Sequence, residues 1–278
     1  MRGIHWPARR VSRGNLHGAH RSRRVGSSPE FSEYRPYQQG DDPSRIDWRL
    51  FGRTERVAIR LAHDDSSLRT GVVVDASTSM AWPAESLDKW RAAAAIALGL
   101  CAVAFGEGDP VGLVIGGCAQ PAVIPPGGRR DTVERIRARL VALTPGGSTP
   151  LAPLLPQLRS CRRLAIVSDF LGDAHALLER SRELVAQGRD VYAVHVVADE
   201  EITPGALGIV VDPEHPELRR TLDADQLASY RSRFESWRAS LAESWRHAGA
   251  SFTTALTSES PDRVIRRVTS PTGTEPRR

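Results

Sequence analysis

The sequence is poor in lysine and cysteine, having one lysine, Lys89, and three cysteines at positions 101, 118 and 161. An odd number of cysteines without Cys-x-x-Cys spacing argues against a disulfide framework and against a cysteine zinc site. No run of eighteen apolar residues and no hydrophobic signal core occurs, so we expect a cytoplasmic protein without a transmembrane segment. The Gly-x-Ser-x-Gly elbow of serine hydrolases and the Gly-x-x-x-x-Gly-Lys phosphate loop are also missing.

Basic charge is concentrated at the amino terminus. Residues 1–24 contain seven arginines, three histidines and no acid, whereas the whole chain has a net charge of only +5. This composition predicts a basic, disordered arm over residues 1–28 that would touch anionic lipid or RNA only loosely. Because the remaining chain is close to neutral, we expect no specific binding of nucleic acid.

Short apolar segments alternate with helical segments along most of the chain. Such apolar segments are typical of parallel strands in a sheet that is covered on both faces. The predicted strands are Gly71–Val74, Leu164–Val167, Val191–Val197 and Ala250–Ala255. Residues 111–124 predict an edge hairpin. The order of elements predicts an α/β domain over residues 69–268, a doubly wound, mostly parallel sheet of Rossmann type with helices on both faces. Residues 269–278 are expected to form a disordered tail.

Side chains with oxygen atoms occur in three of the predicted loops, two of which directly follow an apolar strand. Asp75, Ser77 and Ser79 follow the first strand, Thr149 lies in a Gly-Gly-x-Thr turn, and Asp169 follows a later strand. Ligands in open α/β sheets lie beyond the carboxyl ends of the strands, so these groups are expected to converge. Two carboxylates and three hydroxyls suit Mg²⁺ or Mn²⁺ and would leave a coordination position for a carboxylate of another protein.

Two alternatives to a metal-dependent binding site remain open at this level. Asp75 and the serines could simply turn the chain and cap the next helix. The second alternative is a metal-dependent hydrolase or phosphotransferase on a Rossmann-like fold. The haloacid dehalogenase pattern, however, requires a carboxylate at the position that Ser77 occupies here. Lys89 is expected within a helix rather than at the site. Three histidines are isolated in sequence and are expected to be structural or exposed; they are His63, His175 and His195.

The three motifs resemble the metal-ion-dependent adhesion site of von Willebrand factor A domains. They are Asp-x-Ser-x-Ser at 75–79, Gly-Gly-x-Thr at 146–149 and Ser-Asp at 168–169. The resemblance implies hydroxyl ligands at Ser77, Ser79 and Thr149, with Asp75 and Asp169 binding directly or through water. Ser148, next to Thr149, leaves open which hydroxyl of the second loop is the ligand.

The segment from Glu30 to Arg49 resembles the signature of the domain of unknown function 58 family. Its pattern is Glu-Phe, then Arg-x-Tyr-x-x-Gly-Asp-Asp-x-x-x-Ile-Asp-Trp-Arg. Members combine this signature, here in residues 29–68, with a von Willebrand A-like domain, and their genes typically neighbour MoxR-type AAA+ ATPases. The resemblance implies a non-enzymatic adaptor that works with such an ATPase in the assembly or remodelling of clients, gripping an acidic side chain of its partner through Mg²⁺ or Mn²⁺.

Overall fold

The computed structural model describes residues 4–7, 33–37, 46, 48–61, 68–204, 209–211, 219–221 and 224–270. The chain divides into two compact units, one of residues 12–67 and one that combines residues 1–11 with residues 68–278. The candidate ligands of the sequence analysis all belong to the second, larger unit.

The smaller unit contains a two-stranded antiparallel sheet and one short helix. Strand β1, Glu33–Pro36, pairs with β2, Ala58–Leu61, and helix α1 spans Trp48–Thr54 between them. Much of the signature segment, residues 38–45 and Asp47, lies outside the described residues.

The larger unit is built on a six-stranded sheet with the order β10-β7-β6-β3-β4-β5. Only β5 is antiparallel to its neighbour. Every residue of β3, β4, β6 and β7 is buried, as expected for apolar strands covered on both faces. The strands are β3 Thr70–Asp75, β4 Val111–Gly116, β5 Ala122–Gly127, β6 Arg163–Ser168, β7 Asp190–Val197 and β10 Ser251–Leu256.

Helices cover both faces of this sheet. Alternate side chains of β3 separate the two layers, with Val72 and Val74 in one core and Val73 in the other. The first core contains side chains of α2 (Asp88–Gly106), α3 (Thr132–Ala142) and α7 (Pro261–Thr269). The second contains side chains of a 3₁₀ helix (Ala152–Leu158), α4 (Ala174–Ala186) and α6 (Ala224–His247). The predicted doubly wound, mostly parallel α/β fold is therefore confirmed.

Four short elements complete the described part of the larger unit. A 3₁₀ helix, Thr78–Ala81, follows β3, and helix α5, Asp199–Ile202, follows β7. Strands β8, Ile209–Val211, and β9, Arg219–Thr221, form a separate antiparallel pair.

Helix α2 is long and apolar enough to cross a membrane by length and composition alone. However, 56% of its most apolar window is buried inside the protein, and residues such as Ile96 and Leu100 pack in the first core. Its apolar character is therefore accounted for by packing against the sheet.

Trp6 lies in the core of the larger unit, although its neighbours in sequence are those of the predicted arm. Its side chain is 1% exposed, and its ring contacts the edge of Tyr192 at a centroid separation of 5.1 Å. The Arg163 guanidinium lies 4.5 Å from the Trp6 ring centroid and donates to the Trp6 carbonyl, while the Trp6 amide donates to Glu107 Oε1. The predicted disorder of residues 1–28 thus does not hold for Trp6, and most of that arm lies outside the described residues.

Candidate functional site

Two neighbouring parallel strands deliver Asp75 and Ser168 to the same edge of the sheet. The register pairs Val74 of β3 with Val167 of β6, so the next residue of each strand emerges at the carboxyl end. Ser168 Oγ lies 2.6 Å from Asp75 Oδ2 and donates a hydrogen bond to it. The convergence predicted from the sequence is therefore seen for the first and third loops.

The first loop places two hydroxyls next to the Asp75 carboxylate. Asp75 Oδ1 accepts the backbone N–H of Ser77 at 2.9 Å, which folds the chain back over the strand end. The hydroxyl oxygens of Ser77 and Ser79 are then 3.1 Å apart. Ser79 is buried and Ser77 is half-buried, so the pair lies at the boundary between core and solvent.

The second loop is bound to the first by backbone hydrogen bonds. The Gly146 amide donates to the Ala76 carbonyl at 2.8 Å, and the Thr78 amide donates to the Gly147 carbonyl at 2.9 Å. Gly147 has a φ of +123°, and a Cβ there would lie 2.9 Å from the Ala119 nitrogen, so only glycine fits. These contacts fix the position of the segment that carries Thr149.

Thr149 and Ser148 differ in their surroundings. Thr149 is half-buried, and its hydroxyl donates to the Cys118 carbonyl at 3.0 Å, which leaves the lone pairs of Oγ1 for another group. Its carbonyl accepts the Gly117 amide at 3.0 Å. Ser148 is exposed. Of the two hydroxyls that the sequence left open, Thr149 is the one held by the loops around Asp75.

Asp169 is buried at the start of the third loop, and both of its carboxylate oxygens have partners. Oδ1 accepts the Leu171 amide at 3.1 Å, and Oδ2 lies 2.6 Å from the ammonium of Lys89. The Phe170 amide donates to Ser168 Oγ at 2.9 Å. Asp169 is therefore held on the rim of the sheet mainly by groups other than the hydroxyls of the first loop.

The two aspartates influence each other electrostatically. Burial, together with the negative charge of Asp169, raises the pKa of Asp75 from 3.8 to about 6, against the hydrogen bonds from Ser168 and Ser77. A buried carboxylate with a raised pKa is destabilised in its charged form, and a nearby cation would relieve this. The local field therefore favours positive charge beside Asp75.

Lys89 is the residue that sequence reasoning missed. It belongs to the first turn of α2 and is fully buried, with Nζ 2.6 Å from Asp169 Oδ2 and 2.9 Å from Glu201 Oε1. The expectation that Lys89 lies only in a helix, away from the site, is thus corrected. The available signal was the sole lysine of an arginine-rich chain at the start of an otherwise apolar helix.

Carboxylates alone do not form a complete metal site in the part of the chain that the structure describes. Among the described residues, no group of three or more His, Cys, Asp or Glu side chains could hold a metal on its own. Hydroxyls would therefore have to complete the ligand set. The oxygens of Asp75, Ser77, Ser79 and Thr149 fit a hard cation such as Mg²⁺ or Mn²⁺. Because Asp169 is already paired with Lys89, it fits a water-mediated contact with the cation better than direct coordination.

The isolated histidines lie in contrasting places. His175 is exposed on α4, and His63 lies outside the described residues. His195 is 2% exposed on β7, among the rings of Phe170, Trp237 and Phe252. Burial lowers its pKa from 6.5 to about 3, so the imidazole is neutral at physiological pH.

Comparison with known proteins gives relatives across most of the chain. An uncharacterized protein of Mycobacterium tuberculosis, Rv1480, and one of Mycobacterium bovis, Mb1516, are each 30% identical over 247 residues, which cover 85% of this chain and 77% of theirs. Among solved structures, BatB from Bacteroides thetaiotaomicron gives a TM-score of 0.45 at 15% identity, covering 72% of this chain and 96% of that one. The SpRpn10 VWA domain gives 0.39 at 10% identity, covering 72% and 92%.

Structural likenesses with TM-scores this low do not support a transfer of function. The sequence match is stronger evidence, because one family profile spans residues 33–243, from β1 into α6. On that match and the mycobacterial relatives, this chain belongs to the family described as "Protein of unknown function DUF58".

Proposed function

We propose that this protein is a non-enzymatic adaptor that binds an acidic side chain of a partner protein through a divalent cation held by Asp75, Ser77, Ser79 and Thr149. The observation that carries the proposal is the meeting of the first and second loops around one buried carboxylate. Few of these ligands are charged, so a bound cation would retain affinity for an external carboxylate.

The surface beside the proposed site supports a protein partner rather than a small molecule. Trp82 follows the first loop and is 41% exposed, and Leu171 follows Asp169 and is 47% exposed. Both are tied to the rim, since the Trp82 carbonyl accepts the Lys89 amide and the Leu171 amide donates to Asp169. Exposed large apolar side chains near a polar anchor are typical of protein-binding surfaces.

The partner that we propose is a MoxR-type AAA+ ATPase or one of its clients. This part of the proposal rests on membership of the family and on the absence of a phosphate-binding lysine loop in this sequence, so that any ATP hydrolysis would belong to the partner. A cytoplasmic location would bring the two proteins together.

The experiment is an affinity capture with purified protein and a candidate AAA+ ATPase, in Mg²⁺ and in chelator. We expect capture by the unaltered protein in Mg²⁺ only, and no capture by Asp75→Ala in either buffer. Trp82→Ala is the matched surface variant and should weaken capture without changing cation affinity. Equal capture in Mg²⁺ and in chelator would refute metal-dependent binding.

A hydrolase or phosphotransferase remains the second candidate, and one observation favours it. Lys89 lies next to Asp169, whereas the sequence argument against this class assumed a distant lysine. Against it, Lys89 is fully buried and engaged by two carboxylates, and Ser77 stands where a second catalytic carboxylate would be needed. Turnover of a generic phosphoester in Mg²⁺, lost in Asp75→Asn, would establish the enzymatic alternative instead.

A further inference from the structure

Lys89 provides a buried positive charge in direct contact with Asp169, the aspartate of the third loop. Burying an ammonium group is costly unless it is paired, and here both Asp169 and Glu201 contact Nζ. Burial by itself lowers the pKa of Lys89, but the two carboxylates outweigh burial and raise it, so the group is charged at neutral pH. The three side chains form an ion triad around the buried ammonium, the Lys89 triad.

The other end of the Lys89 triad is fixed by helix α5, which follows β7. Glu201 Oε2 accepts the Ala198 amide at 2.7 Å, and the Glu201 carbonyl accepts the Tyr230 hydroxyl at 3.1 Å. In the same helix, Asp199 Oδ2 accepts the Ser258 amide at 2.9 Å. Because Glu201 is held in this way, Lys89 cannot follow Asp169 toward the first loop without giving up Glu201.

The backbone of Lys89 is equally constrained. Its amide donates to the Trp82 carbonyl at 3.0 Å, and the preceding Leu87 amide donates to the Pro83 carbonyl at 2.7 Å. Lys89 thus starts α2 from a closed turn, so its side chain has little freedom to withdraw. The ammonium and a cation beside Asp75 would repel each other while competing for the same Asp169 carboxylate.

We propose that Lys89 is a built-in counter-ion that keeps Asp169 from direct coordination and thereby lowers the affinity of the site for a divalent cation. This inference rests on the proposed function. Tight cation binding would then require the additional carboxylate of a partner, so that cation and partner bind cooperatively. Lys89 is a positioning residue for Asp169 and touches neither the cation nor the partner.

The test is a titration with Mn²⁺ alone into the full chain and into Lys89→Met and Lys89→Arg. Met has a similar length but no charge, so Lys89→Met should bind Mn²⁺ roughly tenfold more tightly or better. Lys89→Arg keeps the charge and should bind with nearly the affinity of the unaltered protein. Equal affinities in all three would overturn the inference but leave metal binding intact, whereas no binding in any of them would refute the proposed function itself.

Thermal unfolding provides a second readout with a matched control. Lys89→Met leaves the buried carboxylate of Asp169 and the half-buried carboxylate of Glu201 without a cation, so it should melt below the unaltered protein in chelator and recover when Mn²⁺ is added. Arg163→Met removes another fully buried cation, the partner of Asp109 at the opposite end of β6, and should melt lower without any recovery in Mn²⁺. Equal recovery of both variants, or of neither, would count against the proposal.

A further pair of variants covers the case in which Lys89→Met does not fold. Glu201→Gln alone retains the Lys89–Asp169 contact, and adding Lys89→Met to it leaves only one carboxylate unpaired. The double variant should bind Mn²⁺ more tightly than Glu201→Gln. Equal or weaker binding by the double variant would overturn the role assigned to Lys89.

Discussion

Ser168 Oγ donates a 2.6 Å hydrogen bond to Asp75 Oδ2, which joins the last residues of two adjacent parallel strands. The other oxygen of Asp75 accepts the Ser77 amide. Even with these bonds, burial and the charge of Asp169 raise the pKa of Asp75 to about 6. The charged form is therefore a local source of instability in the absence of a cation.

Asp75→Asn should stabilise the protein in chelator and abolish cation binding. The pKa rise from 3.8 to about 6 means that the folded protein holds this proton more tightly than the unfolded chain, so ionisation above about pH 6 costs stability. A shift of this size corresponds to about 3 kcal/mol as an upper value at pH 7. Urea unfolding at pH 7 in chelator should show the gain, and Mn²⁺ titration should show the lost binding.

Asp75→Ala and Ser77→Ala test in the same experiment whether these two residues are cation ligands. Both should lose cation binding while unfolding stays cooperative, because the site lies at the rim of the sheet. A loss of cooperativity with unchanged metal affinity would contradict the assignment of these two residues as ligands.

Thr149→Val should abolish or severely weaken cation binding, whereas Ser148→Ala should leave it within about twofold. The valine keeps the shape but removes the hydroxyl, which donates to the Cys118 carbonyl and is the second-loop oxygen proposed as a ligand. Thr149→Ser restores an oxygen and should restore binding. Calorimetric titration with Mn²⁺ distinguishes the variants, and the reverse order would identify Ser148 as the ligand.

Trp6→Ala should destabilise the protein by about 3–5 kcal/mol, the usual cost of truncating a buried aromatic side chain. Its ring is 1% exposed, and its removal would also leave the Arg163 guanidinium without the aromatic face it contacts. Chemical denaturation provides the measurement. Trp82→Ala, at a 41% exposed position, is the control and should change stability by no more than about 0.5 kcal/mol.

His195→Gln should reduce the loss of stability on acidification. Burial, followed by the charge of Arg238, lowers the pKa of His195 from 6.5 to about 3, so below pH 6.5 the unfolded chain binds a proton that the folded protein does not. Stability therefore falls as pH decreases from 6.5, by about 2 kcal/mol for this residue at pH 5. Denaturation at pH 7 and pH 5, in chelator, should show a smaller difference for the variant.

Asp75 acts with the opposite sign in the same pH range, since its stability contribution improves as pH falls through about 6. Both proteins in the His195 comparison retain Asp75, so its effect cancels in the difference. An identical pH dependence for the unaltered protein and His195→Gln would show that the buried imidazole is not the responsible group.

The fold was predictable because its strands are short, apolar and followed by polar residues. Asp75 and Asp169 could be assigned to one edge for the same reason, since each comes after a buried strand. The segment after the second loop forms a 3₁₀ helix, Ala152–Leu158, with Pro156 inside it. Proline lacks the amide that a continuing α-helix needs.

Contacts between side chains that lie far apart in the chain could not be predicted from the sequence. Lys89 meets partners 80 and 112 residues away, so its place as the sole lysine at the start of an apolar helix marks it as unusual but does not identify Asp169 and Glu201. The burial of Trp6 was not predicted, because the arginine-rich sequence around it is typical of a disordered arm. The apolar side chains of helix α6 also differ in burial, since Leu241 and Trp245 are buried while Tyr230 and Phe234 are only partly covered.

The docking of Trp6 beside Arg163 determines how the protein could be oriented in an assay. Arg163 begins β6 and Ser168 ends it, so this anchor and the aspartate pair lie at opposite ends of one strand, about 17 Å apart. An affinity tag placed ahead of residue 4 on a biosensor chip would hold the molecule by its far end. The carboxyl ends of the strands, where Trp82 and Leu171 are exposed beside the two aspartates, would then lie at the end of β6 away from the attachment point.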